Sequence, residues 1–534
     1  MSHSRLISFF FALMLGNALG EKRPNILFLF ADDWGRYASI YGEGKPGGIN
    51  DVVKTPTFDR IAREGVLFKN AHVSAPSCTP CRSALLTGQH FWRTGRGSIL
   101  RGAVFPDHLP TFPGLLREAG YHIGYTYKVW GPGTPGNSPF TQKERYQSAG
   151  VRFNGFSQGV TKDVDKGSSI ENAKEKLFDE VRKNFRSFLA DQKDGQPFCY
   201  WFGPTNVHRK WIKGSGKKLW NIDPDTLKGK MPPYLPDVPE VRQDLADYFG
   251  EVAAWDAGMA VILDELRKSG QADHTLIAIS GDHGAPGFPY GKCNLYDFGT
   301  GVPLAISGPG VNKGRIVDDL TSLTDLAPTF LESASLKVPE IMTGQTLWPI
   351  LKSDKQGQVD PERTRVFTGR ERHVENARAG YKPYPQRCLR THDYALIINF
   401  RPDRWPMGDP YKLENGNSPT MQELENNTRV TLPDEDAGPT KAWLVKARTE
   451  DRWRSHFVWV YGKRPRLELY DLKKDPHETK NLADDPAYAG TLAQLQAELM
   501  AELQASDDPR LIEGGKFYET APMSGPLPKK AARK

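Results

Sequence analysis

Two continuous apolar runs, at residues 25–31 and 275–280, give the clearest pattern in the first 300 residues. Such runs are typical of parallel strands that helices cover on both faces, because half-exposed strands alternate between apolar and polar residues. Residues 198–202 and 303–307 are further strand candidates. Apolar positions at three- and four-residue spacing predict helices over 57–64, 110–119, 170–189 and 241–268. Strands that alternate with helices predict an α/β domain with a mainly parallel sheet, ending near residue 350.

The pattern changes after about residue 360. Short strand-like segments at 394–400, 456–461 and 466–471 precede one amphipathic helix at 488–503, which predicts a small α+β unit with an antiparallel sheet. Residues 131–159 are rich in Gly, Pro, Asn and Ser and predict a long surface loop. We therefore expect a larger domain over 21–355, a second domain over 356–514 and a basic disordered tail over 515–534.

Residues 1–20 have the pattern of a secretory signal peptide. Arg5 precedes an apolar stretch over 6–15, and the small-residue pattern Ala18-Leu19-Gly20 precedes the charged Glu21. The alternative is a buried N-terminal helix. The stretch is too short for a membrane anchor, and no later run reaches the roughly 18 apolar residues that a span needs. We expect an exported protein without a membrane span, periplasmic or extracellular, or lysosomal if the source is eukaryotic.

The composition excludes several classes of protein. The 534 residues carry a net charge of +7, but Arg5 and the four basic residues within 529–534 account for +5, which leaves +2 for the rest. No basic cluster of the kind that binds nucleic acid appears. The five cysteines are too sparse for a disulfide framework. The sequence leaves the oligomeric state open, a homodimer included.

An acidic pair follows each of the two apolar runs. Asp32-Asp33 follows the first run and Asp282-His283 the second. Ligands bind beyond the carboxyl ends of the strands in an open parallel sheet, so the two pairs are expected at one site. Oxygen ligands without thiolates predict calcium or magnesium rather than zinc. The alternative is that each Asp forms a turn or caps a helix.

The most specific motif is the segment Cys78-Thr-Pro-Cys81-Arg82-Ser-Ala-Leu-Leu-Thr-Gly88. The C-x-x-C pair fits a redox dithiol in an exported protein. Half of a zinc site is excluded, since the chain has no second pair with suitable spacing. The third reading is that Cys78 is the precursor of another group. Here the segment resembles the signature of the type I, formylglycine-dependent sulfatases, C-x-P-(S/C)-R followed by x-x-L-L-T-G.

The resemblance covers most of residues 21–485, including 24–33, 55–71, 280–284 and 469–482. It implies an alkaline-phosphatase-like fold, with a large mainly parallel sheet between helices in a catalytic domain and a smaller antiparallel sheet in the second domain. It also implies that a maturation enzyme oxidises Cys78 to formylglycine. The implied calcium ligands are Asp32, Asp33, Asp282, His283 and residue 78.

The resemblance further implies a division of catalytic roles. One hydroxyl of the hydrated aldehyde attacks sulfur, and the second later releases sulfate and restores the aldehyde. Arg82 fixes the diol, Lys128 and Lys292 hold sulfate oxygens, and His208 is the general acid. The chain departs from the family at one motif. Most members have G-K-W-H-x-G, whereas the corresponding residues 127–133 contain no histidine. Trp130 either stacks on a sugar ring or belongs to the core.

Residues 206–209, 231–248, 289–296 and 371–390 are similar to the sulfamidases, also called heparan N-sulfatases. This similarity implies a sulfated saccharide substrate, N-sulfoglucosamine of heparin or heparan sulfate. An O-sulfatase acting on another sulfated polysaccharide is the alternative within the family. The candidate contacts to the sugar are Arg372, His373, Glu375 and Arg387, and their alternative is a solvated polar surface.

Three hypotheses outside this assignment remain. A thiol–disulfide oxidoreductase would use Cys78 and Cys81, and it would lose function when Cys81 is replaced. A non-catalytic glycan-binding protein would account for the missing histidine. A phosphodiesterase is the third, because phosphate and sulfate are nearly isosteric.

Overall fold

A seven-stranded sheet lies at the centre of the first part of the chain in the computed structural model, which describes residues 23–43, 46–136, 142–413 and 418–523. The predicted signal peptide at 1–20 lies outside the described residues. The strands are β1 (Asn25–Ala31), β2 (Val66–Phe68), β3 (Ala71–His72), β4 (His122–Tyr127), β5 (Phe198–Gly203), β6 (Thr275–Gly281), β7 (Leu304–Ser307), β8 (Arg315–Val317), β9 (Thr321–Ser322), β10 (Arg365–Arg370), β11 (Gln386–Thr391), β12 (Tyr394–Asn399) and β13 (Leu467–Asp471).

The α-helices connect these strands and cover the sheets. They are α1 (Pro56–Glu64), α2 (Cys78–Thr87), α3 (Phe112–Glu118), α4 (Phe156–Val164), α5 (Ile170–Asp191), α6 (Ser215–Trp220), α7 (Pro239–Lys268), α8 (Asp297–Thr300), α9 (Leu326–Ser333), α10 (Trp348–Leu351), α11 (Met421–Asn426), α12 (Pro439–Ala447), α13 (Asp451–Tyr461), α14 (Ala489–Ala505) and α15 (Lys516–Glu519). Among the described residues, none of these helices combines the length and the apolar character that crossing a membrane requires.

The large sheet has the order β4-β5-β1-β6-β7-β2-β8. Strands β4, β5, β1 and β6 are parallel, whereas β7 is antiparallel to β6 and β2. Every residue of β1 is buried, and alternate side chains enter opposite cores. Leu27 and Leu29 pack with α5 and α7, while Phe28 and Phe30 pack with α2 and α9. The prediction of a mainly parallel sheet between two layers of helices is confirmed.

A separate antiparallel sheet, of order β10-β11-β12-β13, forms the second unit. Its apolar face packs against α14, where Leu495 and Leu499 contact the cluster that contains Leu396 and Leu469. The helix repeats leucine every fourth residue and so presents one apolar stripe to the sheet. The α+β unit predicted from the sequence is present.

Two predictions of local structure are wrong. Residues 456–461 form the end of helix α13 rather than a strand, because Val460 and Tyr461 are buried whereas Val458 is 60% exposed, which is a helical and not an alternating arrangement. The predicted loop at 131–159 contains the start of α4, since the buried rings of Phe153 and Phe156 hold this part of the chain against the core. Residues 137–141 of that loop lie outside the described residues.

The predicted disordered tail is wrong for residues 515–523. Helix α15 places the buried ring of Tyr518 against Ile99, and the Tyr518 hydroxyl donates to the carbonyl of Trp92 at 3.4 Å. The prediction rested on the proline and lysine residues of 522–530, which follow this segment, and it overlooked the aromatic anchor Tyr518. Residues 524–534 lie outside the described part of the chain.

Candidate active site

The register of the two central strands brings the two acidic pairs together. Ala31 of β1 pairs with Gly281 of β6, so the residues that follow them lie side by side. The backbone N–H of Asp33 donates to Asp282 Oδ1 at 2.7 Å, and the Tyr248 hydroxyl donates to the carbonyl of Asp33 at 2.9 Å. Asp33 has a φ of 57°, a left-handed conformation that is uncommon for a non-glycine residue and occurs at functional sites.

Cys78 is the first residue of helix α2. Its Sγ lies 3.9 Å from Asp33 Oδ1 and 3.5 Å from His283 Nε2. The free N–H groups and the dipole at this helix end favour an anion. Position 78 therefore lies where the acidic pairs and an anion-binding helix terminus meet.

The environment of Cys78 is unsuitable for thiolate chemistry. Burial raises the pKa of the Cys78 thiol, and the nearby carboxylate of Asp32 raises it further. Burial also raises the pKa of Cys81 well above its ordinary value. A redox cysteine requires a lowered thiol pKa and exposure, whereas both of these thiols are buried. The geometry disfavours the oxidoreductase hypothesis.

Three cationic side chains surround the carboxylates. Arg82 donates to Asp282 Oδ2 and to Asp32 Oδ1, both at 2.9 Å, and Lys128 Nζ lies 2.7 Å from Asp32 Oδ1. Lys292 Nζ donates to Asp33 Oδ2 at 3.0 Å. Burial by itself would raise the pKa of Asp32, but Lys128 and Arg82 lower it well below its ordinary value. The carboxylate of Asp32 is therefore charged.

The donor set fits a hard divalent cation. Single ligand atoms of Asp33, Cys78, Asp282 and His283 lie within 4.8 Å of one another, and those of Asp32, Asp33 and His208 do so as well. His283 Nδ1 lies 3.1 Å from the carbonyl of Gly284, so when Nδ1 carries the proton the lone pair of Nε2 faces the carboxylates. Carboxylate oxygens that converge in this way suit calcium or magnesium.

His208 lies at the more open side of this cluster, in the turn that follows β5. Its Nε2 is 3.8 Å from Asp33 Oδ2, and its Nδ1 contacts the carbonyl of Arg209. The side chain is 35% exposed, whereas Asp33 is fully buried. The structure thus brings together all of the predicted catalytic and metal residues in one cluster. Their individual roles remain predictions.

The residues predicted to contact the sugar lie in different environments. His373 lies at the site, because its Nδ1 is 2.8 Å from Oγ of Ser77, and burial lowers its pKa to about 3, which keeps it neutral. Glu375 lies further out, paired with Arg101 and Arg429. The indole of Trp130 donates to Ser83 Oγ at 2.8 Å and packs edge-on against Phe105, which favours the core alternative for this ring.

The prediction that Arg372 and Arg387 contact the sugar is wrong. The guanidinium of Arg372 is buried and donates to the carbonyls of Arg101, Ala521 and Pro522. Arg387 is fully buried, with its donors on Asp508, Glu371 and the carbonyls of Arg370 and Gln386. Both arginines hold the fold together.

Replacement of Arg387 therefore tests stability rather than binding. We expect Arg387→Met to reduce the free energy of unfolding by about 3–5 kcal/mol, since it leaves a buried carboxylate at Asp508 without its cation. The exposed Arg401, paired with Asp403, provides the control, and Arg401→Met should change stability by less than about 0.5 kcal/mol. Denaturant unfolding measures both. An unchanged midpoint with a raised KM would instead indicate a sugar contact.

The sequence reasoning missed Asp436. Its Oδ2 lies 3.3 Å from Nζ of Lys292, the same ammonium group that contacts Asp33. The only local signal was the run of three acidic residues at 434–436. No periodicity or motif connects this run with the strand ends, which lie far away in sequence.

Comparison with known proteins agrees with this geometry. The chain belongs to the sulfatase family, which matches residues 24–336, and it is a sulfate-removing hydrolase. Its later part, residues 281–432, matches the family described as N-sulphoglucosamine sulphohydrolase, C-terminal. The resemblance noted from the sequence and the predicted fold class are both confirmed.

Among similar proteins, human N-sulphoglucosamine sulphohydrolase is 30% identical, over 93% of each chain. An N-acetylglucosamine-6-O-sulfatase of Bacteroides thetaiotaomicron is 24% identical, over 74% of this chain and 82% of its own. A protein solved in complex with its substrate D-glucosamine-2-N,6-O-disulfate superposes with a TM-score of 0.61, at 18% identity over 91% of this chain and 99% of its own. A phosphonate monoester hydrolase from Silicibacter pomeroyi superposes with a TM-score of 0.57, at 18% identity over 92% of this chain and 97% of its own. These two structures show the shared fold.

Proposed function

We propose that this enzyme hydrolyses the sulfamate of N-sulfoglucosamine in heparan sulfate or heparin, using a formylglycine made from Cys78 and a bound calcium ion. The observation that carries the substrate assignment is the 30% identity to human N-sulphoglucosamine sulphohydrolase, which extends over nearly the whole chain, the second domain included. The position of Cys78, between an anion-binding helix end and a set of metal-type donors, supports the chemistry.

The overall reaction exchanges the S–N bond for an S–O bond. Oxygen from water ends on sulfur, the electron pair of the broken bond stays on nitrogen, and a proton is transferred to that nitrogen. Asp32, Asp33, Asp282 and His283 would hold calcium, which supplies Lewis-acid stabilisation of sulfate oxygens. An aldehyde hydrate at position 78 would supply a hydroxyl nucleophile and a second hydroxyl that permits release of sulfate.

The other side chains bind the sulfate and move the proton. Lys292 and Lys128 extend ammonium groups toward the strand ends, where they attract the sulfate oxygens. Arg82 is held between Asp32 and Asp282 and so fixes the positions of both carboxylates. His208 can deliver a proton from Nε2 to the departing nitrogen while Nδ1 donates to the carbonyl of Arg209.

We also propose that the protein is exported and that Cys78 is converted by a maturation enzyme. The pattern of residues 1–20 supports export to the periplasm or the outside of the cell. The segment 78–88 supports recognition by a formylglycine-generating maturation enzyme, which must act before Cys78 is buried to its final exposure of 3%.

Sulfate release from matched saccharides tests the substrate assignment. We expect kcat/KM for N-sulfoglucosamine to exceed that for N-acetylglucosamine-6-sulfate by at least about tenfold, or about 1.4 kcal/mol of transition-state stabilisation. The same assay with a phosphonate monoester tests the phosphoesterase alternative. Faster release from the 6-sulfate would establish the O-sulfatase alternative and contradict the proposal.

A further inference from the structure

Asp436 is a carboxylate that the chemistry of sulfate binding does not require. Lys292 Nζ contacts both it and the metal-type cluster, 3.3 Å from Asp436 Oδ2 and 3.0 Å from Asp33 Oδ2. Among the described residues, Asp436 is in neither group of donors that could hold a metal. Asp436 adds a fourth carboxylate to Asp32, Asp33 and Asp282. Next to the lysine proposed to bind sulfate, its negative charge weakens the attraction of the site for that anion. Its presence requires another explanation.

The loop that carries Asp436 is rigidly held. Asp434 receives an ion pair from Arg370 at 2.6 Å and another from Arg378 at 2.9 Å, and its Oδ1 accepts from the N–H of Val374 at 3.1 Å. The buried ammonium of Lys441 donates to the carbonyl of Glu435 at 2.7 Å. Residues on both sides of the loop thus fix the position of Asp436.

The side chain of Asp436 is only partly buried. Its side chain is 18% exposed, whereas that of Lys292 is 4% exposed. His208, the candidate proton donor to the departing group, and His373 also act on the Asp436 carboxylate. The neighbouring Glu435 and Lys441 interact with it electrostatically as well. Burial by itself would raise the pKa of Asp436, but Lys292, His208 and His373 together lower it below its ordinary value. Asp436 is therefore a charged carboxylate that interacts electrostatically with the candidate proton donor His208.

The two kinds of sulfate differ at the atom that leaves. A sulfamate presents an N–H donor, and its product is an amine that accepts a proton and becomes a cation. A sulfate ester presents no donor at the bridging oxygen, and its product is a neutral alcohol. A fixed carboxylate can accept a hydrogen bond from the sulfamate nitrogen and pair with the cationic amine product. It has no such interaction with a sulfate ester or its alcohol product, so it favours the sulfamate.

We propose that Asp436 is the substrate-recognition residue that accepts a hydrogen bond from the sulfamate nitrogen and provides the counter-charge for the amine product. The inference rests on the proposed function and adds to it the group that selects N-sulfates over O-sulfates. Lys292 then binds the sulfate on one side while Asp436 binds the nitrogen on the other.

The test compares Asp436→Asn with the wild type and with Asp403→Asn, which removes an exposed carboxylate of the same part of the chain. We expect Asp436→Asn to weaken the binding of glucosamine about tenfold in calorimetry and to leave N-acetylglucosamine unchanged within about twofold. We also expect kcat/KM for N-sulfoglucosamine to fall by about tenfold or more. Asp403→Asn should match the wild type in each assay.

Inhibition by inorganic sulfate separates recognition of the amine from support of Lys292. If Asp436 acted only by positioning Lys292, Asp436→Asn would bind sulfate more weakly. Its affinities for glucosamine and N-acetylglucosamine would fall by equal factors, and this result would overturn the inference. We expect inhibition by sulfate to be unchanged or stronger in Asp436→Asn, since a negative charge has been removed.

The binding measurements keep the two proposals distinguishable. If the wild type releases no sulfate from N-sulfoglucosamine, the proposed function fails. An amine preference that depends on Asp436 would still support the inference, and its absence would overturn it. If the wild type does release this sulfate while Asp436→Asn leaves glucosamine binding unchanged, the inference alone fails.

Discussion

Cys78→Ser is expected to abolish multiple turnover and leave the fold intact. Serine supplies one hydroxyl where the proposed aldehyde hydrate supplies two, so sulfate could be accepted once and not released. We expect kcat to fall at least about 10³-fold, as when other covalent nucleophiles are removed. The exchange of sulfur for oxygen at a site that is 3% exposed should change the thermal midpoint little. Steady-state sulfate release and thermal unfolding measure the two effects.

Cys81→Ser is the matched control for that variant. Cys81 is one turn along the same helix and equally buried, and it contributes to the apolar core beneath α2. A buried hydroxyl costs about 1 kcal/mol or more of stability, but we expect kcat to remain within about threefold of the wild type. The reverse result, activity lost at position 81 and retained at position 78, would support the dithiol oxidoreductase.

Removal of the divalent ion is expected to lower kcat about as much as Cys78→Ser does. The clustered carboxylates of Asp33 and Asp282 bind calcium in our proposal, so dialysis against a chelator should abolish sulfate release and added calcium should restore it. Asp33→Asn should reduce kcat by about 10²-fold or more, because it removes one charged ligand and the partner of Lys292.

A measurement independent of activity completes this test. Calcium at 100 times its dissociation constant stabilises a protein by about 2.7 kcal/mol, so the thermal midpoint of the wild type should rise on addition of calcium. The rise should be absent in Asp33→Asn and present in Asp318→Asn, which changes an exposed carboxylate paired with Lys69. Activity that survives the chelator, or a calcium shift that survives in Asp33→Asn, would contradict the metal assignment.

The sequence allowed prediction of the elements whose signal is local. The apolar runs at β1 and β6 predict buried strands, and the acidic pairs after them predict a shared site, because parallel strands end at one edge of a sheet. The segment that begins at Cys78 is specific enough to indicate the family on its own. Helix α13 was missed because its last six residues are all aromatic, β-branched or histidine, a composition that also suits a strand.

The misassigned residues of the second domain depend on contacts that are distant in sequence. Arg387 bonds with Asp508, 121 residues away, and no local pattern distinguishes such a buried arginine from one that faces a substrate. Asp436 reaches the site only because Asp434 is held by arginines of β10 and the loop that follows it. Charged residues of this kind can be placed only when the chain has folded around them.

The mass of the peptide that contains residue 78, isolated from active enzyme, tests the central claim most directly. Conversion of the cysteine to formylglycine replaces –CH₂SH with –CHO and lowers the peptide mass by about 18 Da. We predict that the specific activity of different preparations rises in proportion to the fraction of peptide with the lower mass. Fully active enzyme whose residue 78 is an unmodified thiol would contradict the account.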